Sequence, residues 1–243
     1  MDCSRCGKEA VLELRYFRER LCGRCFSVFF ERRLKRSMRA GRLLGKRDVV
    51  VVGLSGWRDS MVLLSVFKRL FGKAPRSRLV AVTVDDGRVG RVKRAVLFCQ
   101  SLGVELFVCP AGRSGVLAAL FRKAKSLGAD KLALDDTLDD EVLSVLGGIM
   151  NGRLNEEFKA SSGGLGFKVI RPLREFPSEE VGWYAHINGI SFLKAGREND
   201  RFRMLLGRMV DDAELRQPGS KFRLLKSADC FMDAAATRKV LGR

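Results

Sequence analysis

From residue 48 onward the chain alternates between short apolar runs and longer amphipathic ones, and this leaves few folds open. The strand-like runs are 48–54, 79–84 (LVAVTV), 104–108 (VELFV) and 131–134 (KLAL); the helix-like runs are 58–71, 88–102, 113–127 and 138–151. A buried strand followed each time by a helix makes βαβ units and a parallel sheet. Such a sheet takes its ligands at the carboxyl ends of its strands. FKVIRPL reads as a further strand, SEEVGWYAHINGI as a helix, 159–166 (KASSGGLG) as an exposed loop and about 198–215 as an amphipathic helix. The residues from the turn Gln217-Pro218-Gly219 to the end read as irregular. No internal repeat is visible.

The N-terminus carries a second constraint. Four of the seven cysteines, Cys3, Cys6, Cys22 and Cys25, are spaced C-x2-C-x15-C-x2-C. Each C-x-x-C turn presents two thiolates to one ion, so the spacing reads as a structural, tetrahedral Zn²⁺ site with no open position for a substrate. Disulfides and unrelated thiols are the competing readings, and a cytoplasmic setting counts against disulfides. That setting is the default here. No apolar run approaches the roughly 20 residues of a membrane span, and Met-Asp-Cys opens no basic-then-apolar leader.

Charge then points to a partner. The net charge is +18, and residues 1–47 hold half of it, with 14 Lys/Arg against 5 Asp/Glu. Localised charge of this kind suits a polyanion, above all nucleic acid. In the stretch after Cys25, Phe26, Phe29, Phe30 and Leu34 recur at helical spacing. Arg32, Arg33, Lys35, Arg36, Arg39, Arg42, Lys46 and Arg47 fill most other positions, with Glu31 as the acid among them. The expected contacts to RNA phosphates are Arg32, Arg33, Lys35, Arg36 and Arg39.

Taken in order, several segments resemble one family. They are LCGRCFSVFFERRLKRSMR, the strand leading to S-G-x-x-D-S at Ser55–Ser60, VTVDDG, LGADKLAL, LDDEVLSVL, VIRPLREFPSEEVGWYA and QPGSKFRLLKS. Together they resemble the PP-loop ATPases that make 2-thiouridine in tRNA. The resemblance implies an α/β, parallel-sheet PP-loop domain, Rossmann-like and of the adenine nucleotide alpha hydrolase type, with a small N-terminal zinc ribbon. Expected boundaries are 1–28 for the knuckle, 29–47 for a basic linker helix, 48–192 for the PP-loop domain and 193–243 for a C-terminal tRNA-binding extension, part helical and part irregular. The resemblance also implies adenylation of a uridine C2 oxygen by ATP, followed by sulfur displacing AMP. By position, Leu54, Ser55, Gly56, Asp59, Ser60 and Asp85 would hold ATP, Asp139 and Asp140 would hold Mg²⁺, and Cys109, Asp59 and Asp139 would serve catalysis.

Four departures from the family pattern bear on that chemistry. Trp57 stands where the loop has its second glycine, at a risk of backbone strain or of an indole filling the phosphate site. Asp135 and Asp136 stand where a Gly-His pair belongs, adding negative charge near a triphosphate. Cys109 is alone where a C-x-x-C is expected, and no third cysteine follows in FLKAGREND. A cluster takes about three or four thiolates, so an iron–sulfur cluster is not expected, and a persulfide relay lacks its second sulfur. Cys99 and Cys230 read as small buried apolar residues, as Cys109 itself can. His186, the lone histidine, has no matching nucleophile, and Trp183 and Tyr184 read as packing residues. Three readings stay open. One is a tRNA-binding protein with weakened or lost catalysis, paired with an active PP-loop paralogue or a sulfur carrier. The second is an active ATP-dependent tRNA thiolase, and the third is a PP-loop enzyme of another class.

Overall fold

The computed structural model describes residues 1–45, 47–71, 77–152, 166–192 and 200–240. Lys46, most of the expected 159–166 loop and nearly all of FLKAGREND lie outside them. A two-stranded antiparallel hairpin comes first, β1 (Leu12–Leu14) and β2 (Glu19–Leu21), followed by helix α1 (Gly23–Ala40). Every fourth residue of α1, Phe26, Phe30, Leu34 and Met38, is buried, the stripe expected when one helical face meets a core.

The main sheet has five parallel strands in the order β5-β4-β3-β6-β7. They are β3 (Val49–Gly53), β4 (Arg78–Asp85), β5 (Glu105–Pro110), β6 (Lys131–Ala133) and β7 (Lys168–Ile170). Between them run α2 (Arg58–Phe71), α3 (Arg91–Leu102), α4 (Gly115–Ser126) and α5 (Leu138–Met150). The expected alternation is thus present to within a few residues. The inner residues of β3 and β4 are buried on both faces, which is why these strands read as unbroken apolar runs, while the edge strand β5 is only half-buried. Val50, Val52, Ala81 and Ala133 face a cluster built with α1, α2 and α3, while Val51, Val82, Val84 and Leu132 face one built with α4.

After β7 come α6 (Ser178–Ile187), α7 (Arg201–Arg216) and α8 (Ser220–Val240). Tyr184 of α6 is fully buried and stacks on Phe30 at 4.5 Å, whereas its neighbour Trp183 is exposed and does not join the core. The C-terminal segment is helical, not irregular. Its missing signal is a cap supplied by another helix: the Glu214 carboxylate of α7 accepts from the Gly219 and Lys221 amides at 2.6 and 2.9 Å, satisfying donors that every helix start leaves orphaned. Leu138, Val142, Val210 and Leu225 join α5, α7 and α8 in a small core of their own. Among the described residues no helix is long and apolar enough to cross a membrane.

Candidate functional site

Strand order reverses between β3 and β6, and the crevice at their carboxyl ends is where open α/β sheets take ligands. A cavity of about 260 Å³ lies there, lined by Gly53, Leu54 and Ser55 after β3, Val82 and Val84 of β4, Leu120 of α4, and Leu134 and Asp135 after β6. Gly53 is needed for this packing, since a Cβ there would sit 2.9 Å from a Leu120 methyl. At Gly56 the backbone has φ +78°, and a Cβ would meet the Arg91 carbonyl at 3.3 Å. This is the loop position that requires glycine.

Trp57 adopts ordinary negative φ, so the expected strain is absent: the non-glycine residues at positive φ among those described are Arg18 and Arg42. Nor does the indole fill the cavity. It packs against the Arg91 guanidinium, whose carbon lies 5.4 Å from the ring centre. Arg91 is the residue the sequence reading missed. It is buried at the start of α3, donates to the Ser55 carbonyl at 2.7 Å and pairs with Asp86 at 2.6 Å. Its only sequence signal was an arginine just past Val89-Gly90.

Within the loop the polar groups largely satisfy one another. The Ser55 amide donates to Ser60 Oγ at 3.2 Å, the Trp57 amide to Ser55 Oγ at 3.3 Å, and the Ser60 hydroxyl to the Trp57 carbonyl at 2.9 Å. Asp135 Oδ2 accepts from the Ser55 hydroxyl at 3.3 Å. Burial, with the adjacent Asp136 carboxylate, pushes Asp135 up to about 7. Asp136 itself pairs with Arg171 at 2.8 Å. Asp59 pairs with Arg58 at 2.8 Å, and burial raises its carboxyl against that pairing. Asp85 turns away from the cavity: its carboxylate is exposed and closes a turn on the Gly87 amide at 3.0 Å.

The two carboxylates expected to hold Mg²⁺ have protein partners. Asp139 accepts from Lys221 Nζ at 2.5 Å and from the Ser178 amide at 2.6 Å. Asp140 forms a capping box with Thr137 at the start of α5 and pairs with Arg203 at 3.0 Å. The pattern Thr-x-x-Asp before an apolar run is a helix-start signature, so part of this acidic motif serves the helix itself. Lys221 also bridges to Asp211 at 2.7 Å and lines a second cleft of about 430 Å³ beside Asp139, Tyr16 and Glu214.

Cys109 sits half-buried on β5 with its thiol 3.8 Å from the Thr83 carbonyl, and burial raises that thiol against the nearby Lys123 and Arg122 charges. A raised, packed thiol is the opposite of an activated nucleophile. Cys99 is buried as expected, whereas Cys230 is exposed and not the buried apolar residue expected. His186 is exposed.

The four N-terminal cysteines do converge. Their sulfurs all lie within 4.8 Å of one another, with Cys6 and Cys22 3.6 Å apart. Amide donors lower Cys3 to about 6, the Cys22 amide foremost, and Cys22 is lowered likewise with the Cys25 amide foremost. Cys25, sharing protons with Cys6 and Cys22, is raised to about 12. Four clustered sulfurs, two of them eased toward the thiolate, fit a bound metal centre.

On the RNA-facing helix the structure separates the expected contacts. Arg32, Lys35, Arg36 and Arg39 are exposed on α1. Arg33 is turned inward, paired with Glu180 at 2.7 Å, bonded to the Glu175 carbonyl at 2.9 Å and stacked 3.9 Å from the Phe176 ring centre. Its role is packing, and the expectation of an RNA contact there does not hold. Glu31 is also drawn inward, accepting from the Tyr184 hydroxyl at 2.7 Å and from Arg69 at 3.0 Å.

Comparisons with known proteins agree with this geometry. Residues 2–27 match the family model described as 2-thiouridine synthetase TtuA, N-terminal LIM domain. The chain is 29% identical to the tRNA 2-thiolation protein NcsA of Haloferax volcanii, over 93% of this chain and 85% of that one. It is 24% identical to the tRNA-5-methyluridine(54) 2-sulfurtransferase of Pyrococcus horikoshii, over 93% and 81%. The solved U34-tRNA thiolase NcsA of Methanococcus maripaludis, with its [4Fe-4S] cluster, superimposes with a TM-score of 0.85 at 23% identity, covering 96% of this chain and 87% of that one. That cluster overturns the expectation against iron–sulfur here. The expectation counted the thiols around Cys109 and gave the four N-terminal sulfurs to Zn²⁺; those four are as many ligands as a cluster takes and lie together. Fold, cysteine site and near full-length likeness converge: over almost all of its length the chain is similar to the tRNA 2-thiolation proteins.

Proposed function

We propose that the chain is a tRNA-binding PP-loop protein of uridine 2-thiolation whose ATP and sulfur chemistry is weakened or lost. The observation that carries this reading is the engagement of the acidic pair. Lys221 on Asp139 and Arg203 on Asp140 put tethered cations where a phosphate-bound magnesium would need free carboxylates. The packed thiol of Cys109 supports it. The exposed cations of α1, with Glu31 withdrawn from that face, offer a surface for the tRNA backbone. The natural partners would be an active PP-loop paralogue or a sulfur carrier in the same cytoplasmic pathway. One observation favours the alternative, an active thiolase: the crevice cavity is open and Trp57 stays out of it.

The deciding experiment is a calorimetric titration with ATP and Mg²⁺, alongside tRNA binding. The expected result is tRNA bound and ATP weaker than about 1 mM, a free energy of only about −4 kcal/mol. Trp57→Gly should gain no affinity, because the indole blocks nothing. Micromolar ATP binding with AMP released only when tRNA is present would establish the active reading instead.

A further inference from the structure

We infer that the outer face of α7 is the seat of a second copy of this chain, the two α7 helices lying antiparallel across a twofold axis. This goes beyond the proposed function and does not depend on it. The buried residues of α7 are Leu206 and Val210. On another side of the helix Phe202, Leu205 and Met209 are 38%, 55% and 59% exposed. Their spacing of i, i+3 and i+7 lines them up along one helical face, so α7 carries a second apolar stripe that is open to water. Large apolar side chains exposed in a row, rather than singly, mark an interaction surface.

The charges along α7 say what covers the stripe. Arg201 and Arg208 are exposed in its first half, and Asp211 and Asp212 in its second. Neither Arg201 nor Arg208 has an ion-pair partner among the described residues. Asp211 is held by Lys221, whereas Asp212 meets Arg216 at 3.1 Å in a pair exposed on both sides, the kind that is weak and easily exchanged. A nucleic acid or an anionic membrane would be drawn to the first half and repelled by the second. The complement is an apolar stripe that is basic at one end and acidic at the other, met in the opposite direction, and α7 of a second copy is such a surface. Turned about the middle of the stripe, Leu205 of each copy lies over Met209 of the other, and Arg201 reaches the turn that holds Asp212. Each contact then occurs twice, as a twofold interface requires. At 1.5 Å per residue α7 is about 24 Å long. One such helix pair covers less than the roughly 1,200 Å² of a stable interface, so the dimer should be weak, with a Kd on the order of 10 µM.

The test is sedimentation equilibrium of the full chain from about 1 to about 200 µM, a range that spans such a Kd. The mass should rise from one chain toward two. Leu205→Glu should weaken association at least tenfold, with circular dichroism and melting unchanged because the side chain is exposed. Arg201→Asp and Asp212→Arg should each weaken it about tenfold by setting like charges face to face, and the double variant should return to within about threefold of the parent. The inference is overturned if the chain stays a single copy throughout, if the dimer is indifferent to Leu205→Glu, or if the double variant associates no better than the single ones. Loss of tRNA affinity in Leu205→Glu with no change in association would give the face to RNA and overturn it as well. ATP and tRNA titrations of the parent chain decide the proposed function and leave this inference untouched.

Discussion

Two residues show how little a side chain's type says before its neighbours are known. Arg33 and Arg36 are indistinguishable in the sequence, both in a basic run. Arg33 is desolvated, which lowers its pKa despite Glu180, and burial raises Glu180 in turn. Removing one member of such a pair strands the other charge. Arg33→Ala should therefore destabilise the fold by about 3–5 kcal/mol, while Arg36→Ala changes stability by less than about 0.5 kcal/mol. Urea melts of the two variants decide this. Asp135 gives a pH signature. Its carboxyl sits near 7 in the folded chain against 3.8 when free. Between those values the folded state keeps a proton the unfolded chain has released, so this residue makes stability fall as pH rises from about 4 to about 7. Asp135→Asn should show no gain below pH 4 and a gain on the order of 4 kcal/mol above pH 7, from about 1.36 kcal/mol per pKa unit. Melts across pH read it, and a gain that is the same at every pH would disprove the burial argument.

At the scale of elements, the N-terminal hairpin is the piece most dependent on something other than its own core. Strands of three residues each are too short to stand alone, and Leu12, Leu14 and Leu21 bury only a small face on α1. The four sulfurs tie the first turn of α1 to the residues before the hairpin. Stripping the metal with a chelator, or Cys22→Ser, should expose residues 1–22 to proteolysis while the five-stranded sheet stays folded. Elemental analysis of the untreated protein reads whether the centre is zinc or iron. Loss of the whole far-ultraviolet signal on chelation would contradict the prediction, since the sheet keeps one cluster with no N-terminal residue in it and, on its other face, the packing of α2 and α3. The elements legible in the sequence were those whose period is set by one local face, as in the strands of the sheet and α1 to α5. Helix α8 was not, because its cap comes from Glu214 on another helix.

Across the whole molecule, the +18 charge is ordered by the fold more than by the sequence. α1 turns Glu31 inward and leaves Arg32, Lys35, Arg36 and Arg39 outside. tRNA binding should therefore fall steeply with salt, log affinity against log salt having a slope of about −0.7 to −0.9 per phosphate contacted. Charge removal at Lys35 and Arg36 together should flatten that slope by roughly 1–2, with the fold intact by circular dichroism. An unchanged slope would place the RNA on another surface.

The parallel α/β sheet, the four-cysteine site and the likeness to tRNA 2-thiolation proteins were legible in the sequence, because each is written as a short-range pattern: a hydrophobic period, a ligand spacing, a run of motifs in order. What the functional residues are free to do was set by contacts between distant parts of the chain. Trp57 had looked like a block and lies harmlessly against Arg91. Asp139 had looked like a metal ligand and is held by Lys221, 82 residues away. Arg33 had looked like an RNA contact and is buried against Glu180, 147 residues away. Charge pairing and burial join residues across the fold at distances that no local pattern records.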